Sequence, residues 1–474
     1  MANTIFTKQY SDNILYNALV PLYHVCLEVF LLLMVLWLIF HQSYNPNETG
    51  DLSKEELQAL IDEWTPEELV SDVDQNHRAL HPRVITSKAQ KYISIDNNKC
   101  LNLATHNYLN FVGNEIIEKS AIDTIHKYGV GSCGPRGFYG TVDVHLDLEN
   151  KLAEFMEMEE AVVYSYGFST IASAIPAYAK RSDVIFVDEK VNFAIQKGLD
   201  ASRSRLKFFK HNDTNDLESL LLEQAELDKK NPKKANVTRR FLIVEGIYMN
   251  TGEICPLPAL IELRKKYKLR IFVDESVSFG TLGVTGRGVT EYFDVPKQDV
   301  DMIMCSMEWA LGTIGGFCVG SSFIVEHQRL SGLGYCFSAS LPPLLTVAAS
   351  KALDIMTKDI TIFSDLKDCC ELMHSALETI NGLKTKSHKH SPVKHLVLSD
   401  ECVFTIPREE VLYEISNYCI QHGIAVIVPS YLEKVEKFTP TTSIRLTVNN
   451  KLSSEEIKQA CTVLQEACNA LMSH

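Results

Sequence analysis

From Tyr92 onward, short apolar runs of strand length alternate with charged segments of helix length. The first runs are AVVYSYGF, VIFVD, FLIVEGIYM and IFVDESVSFG. Strands separated by helices predict a mainly parallel sheet with crossover connections. A later segment, from about Ser391, adds HLVLSD, AVIVP and TSIRLTV and closes with a helix-like pattern. We therefore expect an α/β fold with a large domain over residues 91–390 and a smaller α+β domain over residues 391–474.

The N-terminal part contains an apolar run, Pro21–Phe40, which is dominated by Leu, Val and Phe. Its length matches the roughly 20 residues that a helix needs to cross a bilayer. The run is longer than the apolar core of a signal peptide, and no small-residue cleavage pattern follows it. We therefore predict an N-terminal segment over residues 1–20 and one transmembrane helix over residues 21–40. The flanking charges, Lys8 and Lys54, do not decide its orientation.

A polar linker over residues 41–90 is predicted to carry an amphipathic helix. The segment Ser53–Glu56 has the capping-box pattern that opens a helix. The apolar residues that follow at helical spacing are Leu57, Leu60, Ile61 and Trp64. Two interpretations stay open at this stage: this face lies against the membrane, or it packs on the globular body.

Composition excludes some classes of partner. The chain has 474 residues and a formal net charge of −14, so it lacks the basic surface that nucleic-acid binding requires. Its thirteen cysteines are scattered and form no paired C-x-x-C ligand sets. This pattern predicts free thiols in a reducing compartment, without a zinc site or a disulfide framework.

A glycine-rich stretch, Tyr128–Gly137, reads YGVGSCGPRG. Glycines at this density let the backbone approach an anionic or planar ligand, and Arg136 could grip a carboxylate or a phosphate. Taken alone, the stretch is equally compatible with a tight structural turn.

Five further segments place polar or glycine residues beside apolar runs. They are VDEKVNFA with Asn192, VDESVSFG with Asp274 and Val277, SMEWALGTIGG with Trp309, FSASLPP with Ser338 and Ser340, and IRL with Arg445. Alone, FSASLPP is typical of a serine-capped helix start followed by proline. The ordered set is much more specific than any one segment.

The order and spacing of these segments resemble those of the α-oxoamine synthases, a family of pyridoxal-phosphate (PLP) enzymes. The resemblance extends from about Tyr92 to the C-terminus and implies the fold-type I architecture of PLP-dependent transferases. Trp309 stands where this family has the lysine that holds PLP as a Schiff base, and an indole nitrogen has no lone pair available for an imine. No lysine occurs between Lys297 and Lys351. The resemblance therefore implies that this chain lacks the covalent step.

Other family contacts to PLP are also lost. Asn192 stands where the family has a histidine that stacks on the ring, and Val277 where it has a histidine that contacts the 3-hydroxyl. Asp274, which pairs with the pyridine nitrogen in active relatives, is retained. Arg445 matches the family arginine that binds the amino-acid carboxylate, and here it could be only a structural ion-pair partner. Asn192, Asp274, Val277, Trp309 and Arg445 are thus expected to form a vestigial site without a catalytic residue.

The same resemblance implies a contribution to a second chain, because active sites in this family lie at a dimer interface. Cys133, Gly134 and Arg136, together with Ser338 and Ser340, would reach the cofactor site of the partner subunit.

Within the family, the N-terminal span, Cys133 in the glycine stretch and the loop around Trp309 resemble the long-chain-base subunits of serine palmitoyltransferase. This implies a non-catalytic, single-pass subunit in the endoplasmic reticulum membrane with a cytosolic body. Its partner would be a lysine-bearing catalytic subunit that binds PLP and condenses L-serine with palmitoyl-CoA. Small membrane activators and regulatory subunits are further expected partners.

Two alternatives remain from the sequence. One is a membrane scaffold or lipid-sensing pseudoenzyme that contributes nothing to an active site. The other is an active PLP acyltransferase that uses a remote lysine. We also expect the indole of Trp309 to fill the vestigial pocket, since an indole buries roughly 200 Å².

Overall fold

The computed structural model describes residues 24–41, 53–70, 75 and 77–472 of the chain. Contacts divide it into two compact units, one up to His77 and one from Arg78 onward. The predicted N-terminal segment, residues 1–20, lies outside the described residues. The predicted boundary near residue 390 stays a prediction.

In the first unit, residues 24–40 are helical. Helix α1, Lys54–Glu63, begins with the predicted capping box, in which Ser53 Oγ accepts from Glu56 N at 3.2 Å and Ser53 N donates to Glu56 Oε2 at 2.9 Å. Its apolar face is exposed. Among the described residues, no helix combines the length and apolarity needed to cross a membrane. Residues 21–23 of the predicted span lie outside them.

The second unit is built on a seven-stranded sheet of order β3-β9-β8-β7-β6-β4-β5. Its strands are β3 Glu160–Tyr164, β4 Val184–Asp188, β5 Arg205–Phe209, β6 Arg240–Glu245, β7 Arg270–Asp274, β8 Met302–Ser306 and β9 Gly316–Gly320. The pairs along β8-β7-β6-β4-β5 are parallel, whereas β9 runs antiparallel to both neighbours. The loop from β8 to β9 is too short for a helical crossover, so β9 must reverse direction. The sheet is therefore mixed, although mainly parallel as predicted.

Helices cover this sheet and the core is continuous across it. In β4, β8 and β9, every residue is buried, as expected for strands that are covered on both faces. The helices of this part are α2 Glu115–Tyr128, α3 Asp143–Met156, α4 Gly167–Tyr178, α5 Phe193–Ser202, α6 Thr214–Lys230, α7 Pro232–Ala235, α8 Leu257–Tyr267, α9 Val289–Tyr292, α10 Ser322–Ser331, α11 Leu333–Phe337, α12 Pro343–Lys358 and α13 Thr361–Leu377.

Two three-stranded sheets complete the unit. One contains β1 Tyr92–Ile95, β2 Asn98–Asn102 and β12 Ile424–Ala425, and the other β10 Leu383–Thr385, β11 Val393–Leu398 and β13 Ile444–Thr447. Helices α14 Arg408–Gln421 and α15 Ser454–Leu471 pack together. Of the predicted strand AVIVP, only Ala425 belongs to a strand, β12, which pairs with β2, and Ile427 forms an isolated bridge with Arg445 of β13. Short 3-10 helices occur at Arg78–Leu80 and Lys297–Asp299, and a kinked π-helical turn at Arg136–Gly140.

Candidate functional site

A cavity of about 480 Å³ lies beyond the carboxyl ends of β4, β6, β7 and β8. This is the edge where ligands bind in open α/β sheets. The lining includes Asn192 after β4, Asn250 after β6, Ser276 after β7 and Trp309 after β8. Arg445 of β13 closes the opposite side. The structure thus brings three of the predicted vestigial residues into one pocket.

Asp274 and Asn192 are joined by a hydrogen bond. Asn192 caps helix α5, where its Oδ1 accepts from Ile195 N at 3.1 Å. Its Nδ2 donates to Asp274 Oδ2 at 2.7 Å, while Asp274 Oδ1 accepts from Ser276 N at 2.9 Å. Both carboxylate oxygens of Asp274 therefore have donors within the chain.

Glu245 lies directly beside Asp274, because the two residues are register partners at the ends of parallel strands. Its oxygens accept from Asn192 N at 2.6 Å and Met249 N at 2.9 Å. Burial, together with the neighbouring Asp274, raises the pKa of Glu245 to about 8. Burial also raises the pKa of Asp274. Sequence reasoning missed Glu245, although a glutamate that ends the apolar run FLIVE was a usable signal.

We expect this buried acid pair to make the chain less stable as pH rises. The pKa of Glu245 in the folded state exceeds its unfolded value, so its stabilisation is present below the unfolded pKa and is lost as pH rises to about 8. Between pH 6 and pH 8, this should lower the free energy of unfolding by about 2 kcal/mol. Denaturant titrations of the purified full chain at the two pH values measure the effect. Asp274→Asn should make the decline shallower, and an unchanged decline would contradict the assignment.

Trp309 lies on the wall of the cavity and does not fill it. Its half-buried indole packs against the His106 ring, with ring centroids 4.9 Å apart, and its carbonyl oxygen accepts from Tyr108 N at 3.3 Å. These contacts hold the side chain to one side, and the cavity stays open at about 480 Å³. The expectation that Trp309 occupies the pocket is therefore wrong. Val277 is also absent from the lining, because it is buried in the hydrophobic core.

Arg445 places a positive charge at the pocket without a carboxylate partner. Within the described part of the chain its guanidinium forms no ion pair, and its Nε is buried without a hydrogen-bond partner. Burial lowers the pKa of Arg445. The interpretation of Arg445 as a structural ion-pair partner is therefore wrong.

The glycine loop and the serine segment are joined by hydrogen bonds into one unit. Gly134 O accepts from Ser340 N at 3.0 Å, and Ser340 Oγ donates to Gly140 O at 2.6 Å. Ser338 Oγ donates to Gly334 O, and Cys133 is exposed at the edge of the loop. A Cβ on Gly140 would collide with the Gly134 carbonyl, so this close turn requires glycine.

The guanidinium of Arg136 pairs with residues of this chain. Its guanidinium forms a bidentate pair with Glu149, at 2.8 Å to Oε1 and 3.1 Å to Oε2, and Nε donates to Thr141 Oγ1 at 3.0 Å. Its side chain is only 4% exposed. The guanidinium is therefore not free to grip a ligand in a partner, which corrects the expectation for this residue.

Exposed apolar side chains surround the glycine loop. Phe138 and Tyr139 are 68% and 99% exposed in the turn itself, and Leu333 and Phe337 are exposed on the adjacent helix α11. We call these four residues the aromatic rim. Apolar side chains grouped in this way mark an interaction surface more often than a free one.

Residues 98–464 match the family model described as aminotransferase class I and II. The chain belongs to this family. It is 38% identical over 449 residues to Long chain base biosynthesis protein 1b of Oryza sativa, covering 95% of this chain and 92% of the relative. It is 39% identical over 446 residues to Serine palmitoyltransferase 1 of Dictyostelium discoideum, covering 92% of each. It is also 34% identical over 472 residues to Serine palmitoyltransferase 1 of Saccharomyces cerevisiae, covering 90% and 84%.

The fold agrees with this family. The Sphingomonas wittichii serine palmitoyltransferase structure matches with a TM-score of 0.73 and 24% identity, covering 82% of this chain and 92% of the other. A structure described as SPT with PLP internal aldimine matches with the same TM-score at 23% identity and the same coverage. The chain therefore has the PLP-dependent aminotransferase fold type I with a mixed central sheet. The resemblance inferred from the motifs is confirmed.

The pocket of this aminotransferase-family chain does not fit covalently held PLP. No lysine is present among the described residues that line it. The Asp274 carboxylate already accepts a hydrogen bond from Asn192. An uncharged valine, Val277, stands in the core where the family would use a histidine. The residues that line this pocket therefore offer no amine for a Schiff base with PLP.

Proposed function

We propose that this chain is the non-catalytic, membrane-anchored subunit of a serine palmitoyltransferase. The observation that carries the proposal is the altered pocket. The chain is similar to proteins named serine palmitoyltransferase 1, yet no described residue that lines its cavity is a lysine, and its Asp274 accepts a hydrogen bond from its own Asn192. The enzyme condenses L-serine with palmitoyl-CoA to 3-ketodihydrosphingosine, and PLP is held by the lysine-bearing partner.

The proposed contribution to the partner is the loop unit around Cys133 and Gly134, with Ser338 and Ser340. Hydrogen bonds between the loop and the serine segment support this role, because they hold the two segments together beside the exposed Cys133. The aromatic rim beside them provides apolar area for a second chain. The subunit thus stabilises the partner and completes its site from outside.

We place the chain in the endoplasmic reticulum membrane as a single-pass protein with a cytosolic body. The helical residues 24–40 present exposed Leu, Val, Ile and Phe side chains, which supports an anchor. An anchored body also suits a reaction with a long acyl substrate and a lipid product. The endoplasmic reticulum is the membrane that the family resemblance implies, and it is part of the proposal.

The test is co-expression in cells that lack both subunits, followed by an assay of 3-ketodihydrosphingosine formation from L-serine and palmitoyl-CoA. Activity should require this chain together with a lysine-bearing homologue. Trp309→Phe should leave activity unchanged, because the side chain lies on the wall of a pocket without a catalytic role. Activity from this chain alone would contradict the proposal and favour the alternative with a remote lysine.

A second measurement separates the proposal from a pure scaffold or lipid sensor. Cys133→Ala should lower the activity per assembled complex, because in this proposal the exposed thiol faces the partner's site. Cys402→Ala, a partly buried cysteine elsewhere in the chain, is the matched control. Full activity of both variants at equal complex abundance would favour the scaffold.

A further inference from the structure

A second cavity, of about 390 Å³, has no residue in common with the first. It lies between the turn that follows β7 and the start of helix α13. Its lining includes Leu282, Val284, Glu291, Ile360, Phe363 and Lys367. The volume falls within the roughly 300–1,000 Å³ of small-molecule sites.

The walls of this cavity are apolar and held in place. Leu282 and Phe363 are buried, and the turn at Gly286, with φ +75°, lies so close to the Phe363 ring that a Cβ there would collide with it. Val284, 75% exposed, and Ile360, 50% exposed, carry apolar surface outward from the opening. The cavity is thus a formed apolar slot with an apolar entrance.

The lining of the slot includes a positive charge, Lys367, that has no partner among the described residues. The Glu291 carboxylate accepts from Thr285 N and Arg287 N, both at 3.0 Å, so its charge is satisfied within the turn. His390 is held by Tyr292 Oη at 3.0 Å and Glu371 at 2.6 Å. Lys367 has no hydrogen bond or ion pair with any residue that the structure describes. The ammonium group of Lys367 is therefore available to pair with a ligand.

We propose that this cavity binds a single-chain amphiphile with a carboxylate head, a fatty acid anion. The apolar slot accepts the hydrocarbon chain and Lys367 pairs with the carboxylate. An uncharged apolar ligand would leave the lysine unused, and an amine head would be repelled by it. The site is independent of the pocket at Trp309 and of the proposed serine palmitoyltransferase role, so either can fail alone.

Photolabelling of the full chain in nanodiscs of neutral phospholipid tests the proposal. The probe is dodecanoate with a diazirine at the methyl end. Labelling should be saturable and should fall on peptides that contain Leu282, Val284 or Ile360. Competition by unlabelled carboxylates from octanoate to dodecanoate should strengthen by roughly threefold to fourfold per methylene. Dodecylamine should not compete over the range in which dodecanoate does.

Two exposed positions on α13 give variants that leave the core intact. Ser364→Trp should abolish specific labelling by filling the opening, and Lys367→Glu should weaken it by about fivefold through charge reversal. Ser219→Trp, also on an exposed helix position, and Lys233→Glu are matched controls and should label as the unaltered chain does. Labelling spread over the surface, labelling unaffected by Ser364→Trp, or equal competition by dodecylamine would overturn the proposal.

Discussion

Arg136→Ala is expected to lower the free energy of unfolding by about 3–5 kcal/mol, the cost of breaking a buried ion pair from one side. The substitution leaves the Glu149 carboxylate buried without its bidentate partner. Glu149 also accepts from Val163 N at 2.9 Å, so the uncompensated charge lies against β3, an edge strand of the seven-stranded sheet. The effect should therefore reach beyond the glycine loop to the sheet.

Denaturant titration of the purified full chain measures this loss. Lys88→Ala is the control, because its pair with Glu118 is exposed and should contribute less than about 1 kcal/mol. Arg136→Met combined with Glu149→Gln should recover part of the stability, since it removes both charges together. If Arg136→Ala left the stability unchanged but lowered the activity of the complex, the guanidinium would act at the partner's site and not in the folding of this chain.

Phe138→Asp combined with Tyr139→Asp is expected to abolish assembly with the partner. Large exposed aromatic side chains at the centre of an interface contribute roughly 2 kcal/mol or more each, so the loss of both should weaken the complex by about 700-fold. Two unpaired carboxylates at the aromatic rim would add a desolvation cost. The folded chain itself should stay intact, because both side chains are exposed.

Affinity purification of the co-expressed partner measures assembly, and thermal unfolding of the variant checks the fold. Val237→Asp is the control, because Val237 is an exposed apolar residue on a different loop. Normal recovery of the partner with the double variant would show that the interface lies elsewhere. Loss of recovery with the control as well would indicate a general defect in expression.

Local patterns in the sequence predicted much of this fold. The run VIFVD corresponds to the whole of β4, and Ser53 caps α1 through the predicted capping box with Glu56. Both features depend only on residues that are neighbours in the sequence, so they can be predicted from the sequence alone. The mixed direction of the sheet was missed, since the hairpin of β8 and β9 depends on how a loop with two glycines folds back.

The site was less predictable because its decisive contacts join distant residues. Nothing near Asn192 indicates that its amide reaches Asp274, and Glu149 lies on a helix whose packing brings it to Arg136. The side of the pocket to which Trp309 turns depends on His106, which no motif had singled out. Motifs located the pocket, and tertiary contacts determined which side chains stay free in it.

The hydrogen bond between Asn192 and Asp274 also affects whether this chain could regain a catalytic role during evolution. A lysine regained at position 309 alone would face a carboxylate already taken by an amide, with Val277 still in the core. A lysine at this position alone would therefore not restore PLP-dependent activity and would bring no advantage on which selection could act. A PLP site could therefore return to this chain only through several simultaneous substitutions, so the separate roles of the two proposed subunits are hard to reverse.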